Sequence, residues 1–297
     1  MSVSIRNLNI VIDGMPIVHD VDMDIADGER VGLIGSSGSG KSMIAKSIMG
    51  LLPLSAQVSG SIDMGGTEIV GASDQAIADL RGRYVGMVFQ NPSAALNPVM
   101  TVAQQVALPL RLHYDLTRDE RLDRVKAMFA KVRLPEDVLN KYPHELSGGQ
   151  KQRVSLAGVM VDQVKILLFD EPLANLDPAT GKQTIELIDE IQKETDTTVV
   201  IIEHRLEDVL WRDVDRIILV SEGRILADLH PDELLATDLL AENGIREPLY
   251  LTAMRYAGIT LTPEKKPSHA DRVALPEDDV KQLKQWFQSR MAGKQES

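Results

Sequence analysis

Short runs of apolar residues alternate along the chain with segments whose apolar positions recur at helical spacing. The runs are rich in β-branched residues and end at glycine or charged residues, which is typical of strands buried on both faces of a sheet. The alternation of strands with helix-length segments predicts an α/β core with a mostly parallel sheet, whose ligands gather at the carboxyl ends of the strands. The runs occupy residues 31–35, 84–90, 164–170, 198–203 and 216–220.

Two regions depart from this alternation. Between about residues 91 and 160 the apolar positions recur at helical spacing, as in RDERLDRVKAMFAKVRL, which predicts a helical subdomain inserted into the core. From about residue 260 the chain is polar and proline-rich, and an amphipathic helical pattern follows. We expect this last helix to pack on its own domain rather than to be a dedicated partner helix. Its apolar face consists of Val280, Leu283, Trp286, Phe287 and Met291.

The composition excludes several classes of function. Asp and Glu number 44 against 32 Lys and Arg, for a formal net charge of -12. Such a surface repels phosphate backbones, so we expect no nucleic acid as a main partner. The chain has no cysteine, which excludes disulfides, thiolate-bound zinc and cysteine-ligated iron-sulfur clusters.

The first residues, MSVSIRNLNIVIDG, have no basic segment followed by an apolar one, so they do not form a secretory signal. No apolar run approaches the roughly 18 to 20 residues that a membrane-spanning helix requires. We therefore expect the chain to be soluble.

The strand predicted at residues 31–35 leads into GSSGSGKS, and a helix-like segment follows. This matches the phosphate-loop pattern G-x-x-x-x-G-K-[ST] in its required strand, loop and helix context, which argues against a glycine-rich turn without a ligand. Glycines let backbone N–H groups and the positive end of the helix face an anion. Lys41 would contact the β and γ phosphates, and Ser42 would offer an oxygen to Mg²⁺. The candidate binding residues are Gly35, Ser36, Ser37, Gly38, Ser39, Gly40, Lys41 and Ser42.

Two carboxylates end another predicted strand, in KILLFDE. Either could be an ordinary polar residue at a strand end. Beside a phosphate loop, however, Asp170 is suited to hold the groups that coordinate Mg²⁺ directly, without coordinating the ion itself. Glu171 is suited to polarise an attacking water as a general base.

The pentapeptide LSGGQ precedes another helix-forming segment. Its serine and glycines at a helix N-terminus form a second anion-binding site with a hydroxyl group. Here the sequence closely resembles the ATP-binding cassette (ABC) ATPases, whose signature is this pentapeptide. The resemblance implies that ATP and Mg²⁺ bind between two cassettes, so that the signature of one closes over the γ-phosphate held by the other. The signature residues are Leu146, Ser147, Gly148, Gly149 and Gln150.

The resemblance assigns roles to four further positions. Gln90 matches the Q-loop glutamine that contacts Mg²⁺ and water, and Asp177 in LANLD matches the D-loop at the dimer seam. His204 matches the switch histidine that contacts the γ-phosphate, although on its own it could be a solvated strand end. Ile12 occupies the position where many members carry an aromatic side chain that stacks on adenine, which would weaken nucleotide affinity or base selectivity.

The resemblance also implies the fold and domain organisation. We expect a P-loop ABC nucleotide-binding domain over residues 1–240, with an N-terminal antiparallel β-subdomain and the helical subdomain near 91–160. A C-terminal extension with a polar linker and the amphipathic helix would occupy residues 241–297.

Within the family the chain looks like the motor subunit of a bacterial importer at the cytoplasmic face of the membrane. Its partners would be transmembrane permease subunits and a second ABC ATPase subunit, identical or different. Residues 30–160 resemble peptide and nickel importer ATPases, and residues 165–290 resemble energy-coupling-factor ATPases for vitamins or metals. The peptide and nickel type is slightly favoured, because the helical subdomain holds the membrane partner. A soluble ABC ATPase outside transport is a remote alternative.

Overall fold

A computed structural model of the chain describes residues 2–174 and 176–292, apart from the side chains of Pro178, Met291 and Ala292. The strands are β1 (Val3–Ile12), β2 (Met15–Ile25), β3 (Arg30–Ile34), β4 (Ala56–Met64), β5 (Thr67–Glu68), β6 (Val85–Val88), β7 (Ile166–Asp170), β8 (Thr198–Glu203), β9 (Arg216–Ser221) and β10 (Arg224–Leu229).

Helices separate the parallel strands β3, β6, β7, β8 and β9 along the chain, as the sequence predicts. Short 3-10 turns cover Glu136–Asn140, Pro143–Glu145 and Pro263–Lys265. The α-helices are α1 (Lys41–Ile48), α2 (Asp74–Ala78), α3 (Pro92–Ala95), α4 (Val102–Val106), α5 (Leu108–His113), α6 (Arg118–Lys131), α7 (Gly148–Met160), α8 (Pro178–Thr195), α9 (Leu206–Val209), α10 (Pro231–Leu235), α11 (Leu239–Glu242), α12 (Leu249–Tyr256) and α13 (Glu277–Ala292).

The strands form two sheets. The N-terminal sheet is antiparallel, in the order β2-β1-β4-β5. The core sheet has the order β10-β9-β3-β8-β7-β6, and it is parallel except for the edge strand β10. The predicted α/β fold with an N-terminal antiparallel sheet is therefore confirmed.

The order of the core strands places three strand ends side by side. Strand β8 lies between β3 and β7, with Ile34 opposite Glu203 and Asp170 opposite Ile202. The segments that follow β3, β7 and β8 therefore leave the sheet at one edge. This edge holds the phosphate-loop pattern, the two adjacent carboxylates and the predicted switch histidine.

Apolar side chains cover both faces of the core sheet. Along β7, Leu167 and Phe169 belong to a cluster with the inserted helices and the C-terminal helices. Ile166 and Leu168 point to the other face, where they belong to a cluster with the N-terminal sheet and α1. Because successive side chains of a strand alternate between faces, an uninterrupted apolar run fits a strand covered on both sides.

Two predicted strands are shorter than their apolar runs. One is β7, which begins at Ile166 although its run begins at residue 164, and the other is β6. The run of β6 covers residues 84–90, whereas β6 ends at Val88. Asn91 then accepts hydrogen bonds from the N–H groups of Ser93 and Ala94 and caps α3. Residues 89 and 90 thus connect the sheet to the helical region between β6 and β7, which extends from α3 to α7.

The contact between β6 and α7 gives a prediction about stability. A Cβ atom added to Gly86 would lie 2.1 Å from Cγ1 of Val159. Gly86→Ala therefore forces the strand or the helix to move, and we expect it to lower the free energy of unfolding by about 1–3 kcal/mol. Gly158→Ala is the control, because its Cβ would have no atom within 4 Å.

The Gly158→Ala control should raise the free energy of unfolding by roughly 0.5–1 kcal/mol, because alanine is the better helix former. Urea unfolding followed by circular dichroism measures both changes. Effects of the same sign and size would contradict the close packing of β6 on α7.

The C-terminal segment folds back on the rest of the chain. Leu283 and Trp286 of α13 pack against the apolar cluster that contains Leu167 and Phe169. Gln282 Nε2 donates a hydrogen bond to the Ala257 carbonyl at 2.7 Å. Phe287 remains 49% exposed, and the side chain of Met291 lies outside the described residues. The last helix thus packs on its own chain, as expected. No helix in the described ranges is long and apolar enough to cross a bilayer.

Candidate active site

The phosphate-loop pattern forms the turn between β3 and α1. An added Cβ at Gly35 would lie 2.2 Å from the Val220 carbonyl oxygen of the neighbouring strand, so only glycine fits there. Gly38 and Gly40 have φ angles of 81° and 101°, in the region that favours glycine. Helix α1 then begins at Lys41. The local sequence therefore dictates a loop that ends at a helix N-terminus, which is a site for an anion.

Lys41 is held by the loop itself. Its Nζ atom donates hydrogen bonds to the carbonyl oxygens of Gly35 and Ser36, both at 2.8 Å, and the residue is only 4% exposed. Burial lowers the pKa of Lys41, while the nearby Glu171 and Asp170 carboxylates act in the opposite direction. The ammonium group is thus fixed inside the loop, at the amino end of α1.

Ser42 and Asp170 meet across the gap between α1 and β7. The Ser42 hydroxyl donates a hydrogen bond to Asp170 Oδ1 at 2.6 Å, and Asp170 is buried. Hydroxyl, amide and carboxylate oxygens are ligands that Mg²⁺ accepts, and Mg²⁺ usually takes few of them from the protein when phosphates are present. The pair formed by Ser42 and Asp170 therefore fits the predicted Mg²⁺ site.

Glu171 follows β7 in a strained backbone conformation. Its φ angle is 46°, which is uncommon for a residue other than glycine, and its N–H group donates to the Ile202 carbonyl at 2.9 Å. The side chain is turned towards two other predicted residues. Its Oε2 atom accepts a hydrogen bond from Gln90 Nε2 at 2.7 Å and lies 3.9 Å from His204 Nδ1. The structure thus brings these three residues together.

His204 stands just after β8 and is 47% exposed on its side chain. Its Nδ1 atom lies between two carboxylates, 3.9 Å from Glu171 and 3.7 Å from Glu203. A solvated strand end would need no such partners. The imidazole is therefore placed beside the Glu171 carboxylate while remaining open to solvent.

Glu203 is not among the predicted site residues, because it stands at the end of an apolar run like any first polar residue. The structure buries it to 1% exposure. Burial raises the pKa of Glu203 to about 8. The Leu173 N–H group donates a hydrogen bond to Glu203 and acts in the opposite direction. The one sequence signal that could have identified Glu203 is its position at the end of a buried strand, directly before the predicted switch histidine.

The signature segment begins α7. The Ser147 hydroxyl accepts a hydrogen bond from the Gln150 N–H group, and the Gln150 side chain accepts one from the Ser147 N–H group. An added Cβ at Gly149 would lie 3.0 Å from the Thr180 side chain of α8. Asp177 caps α8 by accepting hydrogen bonds from the N–H groups of Ala179 and Thr180. The signature and the predicted D-loop residue are therefore neighbours.

Among the residues that the structure describes, no hydrogen bond joins Ser147–Gln150 to Gly35–Ser42. Gly148 instead lines a cavity of about 340 Å³ together with Gln90, Gln152 and Pro172.

Ile12 lies at the end of β1 and is partly buried against the cluster that covers the N-terminal sheet and α1. Its predicted effect on adenine binding stays a prediction.

Two family profiles match the sequence. The profile described as ABC transporter matches residues 18–174, which is more than half of the chain. A second profile, described as ATP-binding cassette cobalt transporter, matches residues 237–297.

The sequence is also similar to longer curated proteins. It is 45% identical over 287 residues to an ABC transporter ATP-binding protein of Clostridium perfringens strain 13, covering 96% of this chain and 49% of that protein. It is 46% identical over 280 residues to one of Vibrio vulnificus strain CMCP6, covering 93% of this chain and 47% of that protein. The chain thus spans about half the length of the curated relatives it matches.

Solved structures share the fold. The dimeric ATP-binding cassette MJ0796 in a post-hydrolysis state with ADP and Pi is 28% identical, with a TM-score of 0.69, covering 77% of this chain and 98% of that one. CbiO1 from Clostridium perfringens, a part of the ABC transporter complex cbiONQ, is 31% identical. Its TM-score is 0.70, and the match covers 86% of this chain and 98% of that one.

The geometry and the comparisons agree. A phosphate loop, two carboxylates after β7 and a histidine after β8 meet at one sheet edge, and the profile match spans the first two of these features. The predicted resemblance to ABC-type ATPases is confirmed. The chain belongs to the ABC transporter family of ATP-binding proteins.

Proposed function

We propose that this chain is the ATP-hydrolysing cassette of a membrane importer of the energy-coupling-factor type. The observation that carries the hydrolytic part is the grouping of Gln90, Glu171 and His204 beside the phosphate loop. A carboxylate, an amide and an imidazole at the carboxyl ends of core strands are the groups that water activation and charge stabilisation require.

Each residue has a chemical task in the proposed reaction. The loop N–H groups and Lys41 hold the phosphates of ATP, and the fixed ammonium stabilises charge on the transferred phosphoryl group. Glu171 accepts the proton of the attacking water as general base, and Gln90 orients that carboxylate. His204 donates a hydrogen bond to the γ-phosphate from its exposed position.

The Mg²⁺ that accompanies ATP would be held by Ser42, with Gln90 and Asp170 as further oxygen-bearing groups. Bound Mg²⁺ supplies positive charge against the phosphate oxygens. Asp170 accepts the Ser42 hydrogen bond and so orients that hydroxyl from its buried position.

The exposed position of Ser147 and Gly148 supports a site that two cassettes complete together. Ser147–Gln150 lies at the exposed start of α7, beside Asp177 and α8. We propose that it contacts the nucleotide of a second cassette, identical or different, and that Asp177 lies at the seam between them. The dimeric state of the structurally similar MJ0796 supports this arrangement.

The C-terminal region supports the type of importer. Residues 237–297 match the cobalt-transporter profile, and CbiO1 is described as part of cbiONQ. These findings favour the energy-coupling-factor alternative over the peptide and nickel type, which the sequence analysis slightly preferred. The earlier preference rested on residues in the helical region.

This proposal keeps residues 1–240 as the nucleotide-binding domain and 241–297 as the extension. It places the chain at the cytoplasmic face of the membrane, bound to transmembrane subunits.

Affinity purification tests the importer type. The tagged chain, expressed in its source cells and purified from detergent-solubilised membranes, should retain its permease, which mass spectrometry identifies. We expect a single energy-coupling-factor scaffold subunit. A pair of peptide-type permease subunits would instead restore the peptide and nickel type.

A further inference from the structure

A buried carboxyl group lies directly behind the predicted catalytic pair. Glu203 ends β8 and has 1% of its surface exposed, although it is next to the half-exposed His204. Buried carboxyl groups are costly unless they make hydrogen bonds. Its contacts therefore indicate what the group does.

The two oxygens of Glu203 face two different parts of the site. Oε1 accepts a hydrogen bond from the Leu173 N–H group at 3.3 Å. Oε2 lies 3.7 Å from Nδ1 of His204. One side chain thus connects the end of β8 with the segment that follows Glu171.

This connection bears on the strained backbone of Glu171. The residue has a φ angle of 46° and leads into Pro172, which has no N–H group to donate. The turn is fixed to β8 at two points, by the Glu171 N–H bond to Ile202 and by the Leu173 N–H bond to Glu203. A strained conformation persists only where its surroundings hold it.

We propose that Glu203 is a positioning residue for ATP hydrolysis, which holds the turn after Glu171 and the switch histidine in the arrangement that the reaction needs. It acts through these residues and not on the substrate. This inference rests on the proposed function, because it assumes that Glu171 and His204 serve hydrolysis.

The charged groups around Glu203 determine how it would respond to pH. Lys41 of α1 faces it, as do Glu171 after β7 and Asp208 of α9, in addition to His204. Burial, assisted by the like charges of Asp208 and Glu171, raises the pKa of the carboxyl group to about 8, so that it is mostly neutral below that pH. Above that pH it ionises and places a second negative charge beside Glu171, which should slow hydrolysis.

A pair of variants separates the hydrogen bond from the volume of the side chain. Glu203→Gln keeps an acceptor for the Leu173 N–H group and cannot ionise. Glu203→Met keeps a similar volume and has no comparable acceptor. Asp162→Asn is the control. Asp162 is also a buried carboxyl group, but it lies just after the C-terminal end of α7, hydrogen-bonded to His113.

Single-turnover hydrolysis of Mg-ATP by the purified full chain and its variants, from pH 6 to pH 9.5, is the measurement. We expect Glu203→Met to lower the rate constant about 10- to 100-fold at every pH, with little change in the ATP concentration that gives half the maximal rate, because a misplaced group slows the reaction step. Glu203→Gln should stay within about threefold of the parent below pH 8. It should lack the parent's decline above that pH.

Three results would overturn the inference. These are a Glu203→Met rate equal to that of the parent, a Glu203→Gln rate as low as that of Glu203→Met, or identical pH profiles for parent and Glu203→Gln. If Glu203→Met does not fold, the pH profile of Glu203→Gln decides alone. Failure of the parent itself to hydrolyse ATP would count instead against the proposed function.

Discussion

Glu171→Gln should lower the rate of ATP hydrolysis by at least about 100-fold while leaving Mg-ATP binding within about threefold of the parent. General base catalysis contributes roughly 10²- to 10⁴-fold, and an amide cannot take the proton of the attacking water. Glutamine keeps the shape of the side chain and an oxygen that accepts from Gln90 Nε2. Phosphate release under single-turnover conditions and a titration with labelled nucleotide measure the two quantities.

The matched control is Glu242→Gln, the same change at an exposed residue of α11. It should leave both quantities unchanged. A Glu171→Gln chain that hydrolyses ATP as fast as the parent would show that another group activates water, and the proposed catalytic role would be wrong.

Lys41→Ala should raise the dissociation constant of Mg-ATP by roughly 30- to 100-fold. A hydrogen bond to a charged group contributes about 1.5–3 kcal/mol, and 1.4 kcal/mol corresponds to a factor of ten. The ammonium group now bonds the carbonyls of Gly35 and Ser36, so it is already in place when phosphate enters the loop. Isothermal titration calorimetry gives the constant directly.

Lys46→Ala is the control for this change, since it removes the same charge from the last turn of the same helix. Its dissociation constant should stay within about twofold of the parent. Equal constants for Lys41→Ala and the parent would remove Lys41 from the nucleotide site. Thermal unfolding of both variants checks that a lowered affinity does not reflect a lost fold.

Much of the site can be predicted from the sequence because its parts are local. The loop Gly35–Ser42 requires glycine at Gly35, where a carbonyl lies 2.2 Å from the added Cβ, and helix α1 starts where the pattern places it. Strand β8 matches its predicted range, because a continuous β-branched run bounded by polar residues leaves little freedom. The run that contains β6 is less informative, since Asn91 and Pro92 start a helix soon after the strand ends.

The type of transporter is predicted less well. Residues in the helical region resemble one importer class, and the C-terminal region matches a profile of another. Two segments of one chain thus point to two importer classes, so local sequence alone does not decide between them.

The sequence by itself determined the family and the phosphate-loop pattern, because each depends on residues adjacent along the chain. It also predicted the roles of Glu171 and His204, which stay predictions. Only the tertiary structure decided that Gln90 bonds Glu171, that Ser42 bonds Asp170 and that Glu203 is buried behind His204. The first two contacts join residues far apart in sequence. They exist because the core sheet has the order β3-β8-β7-β6, which apolar patterns along a chain do not encode.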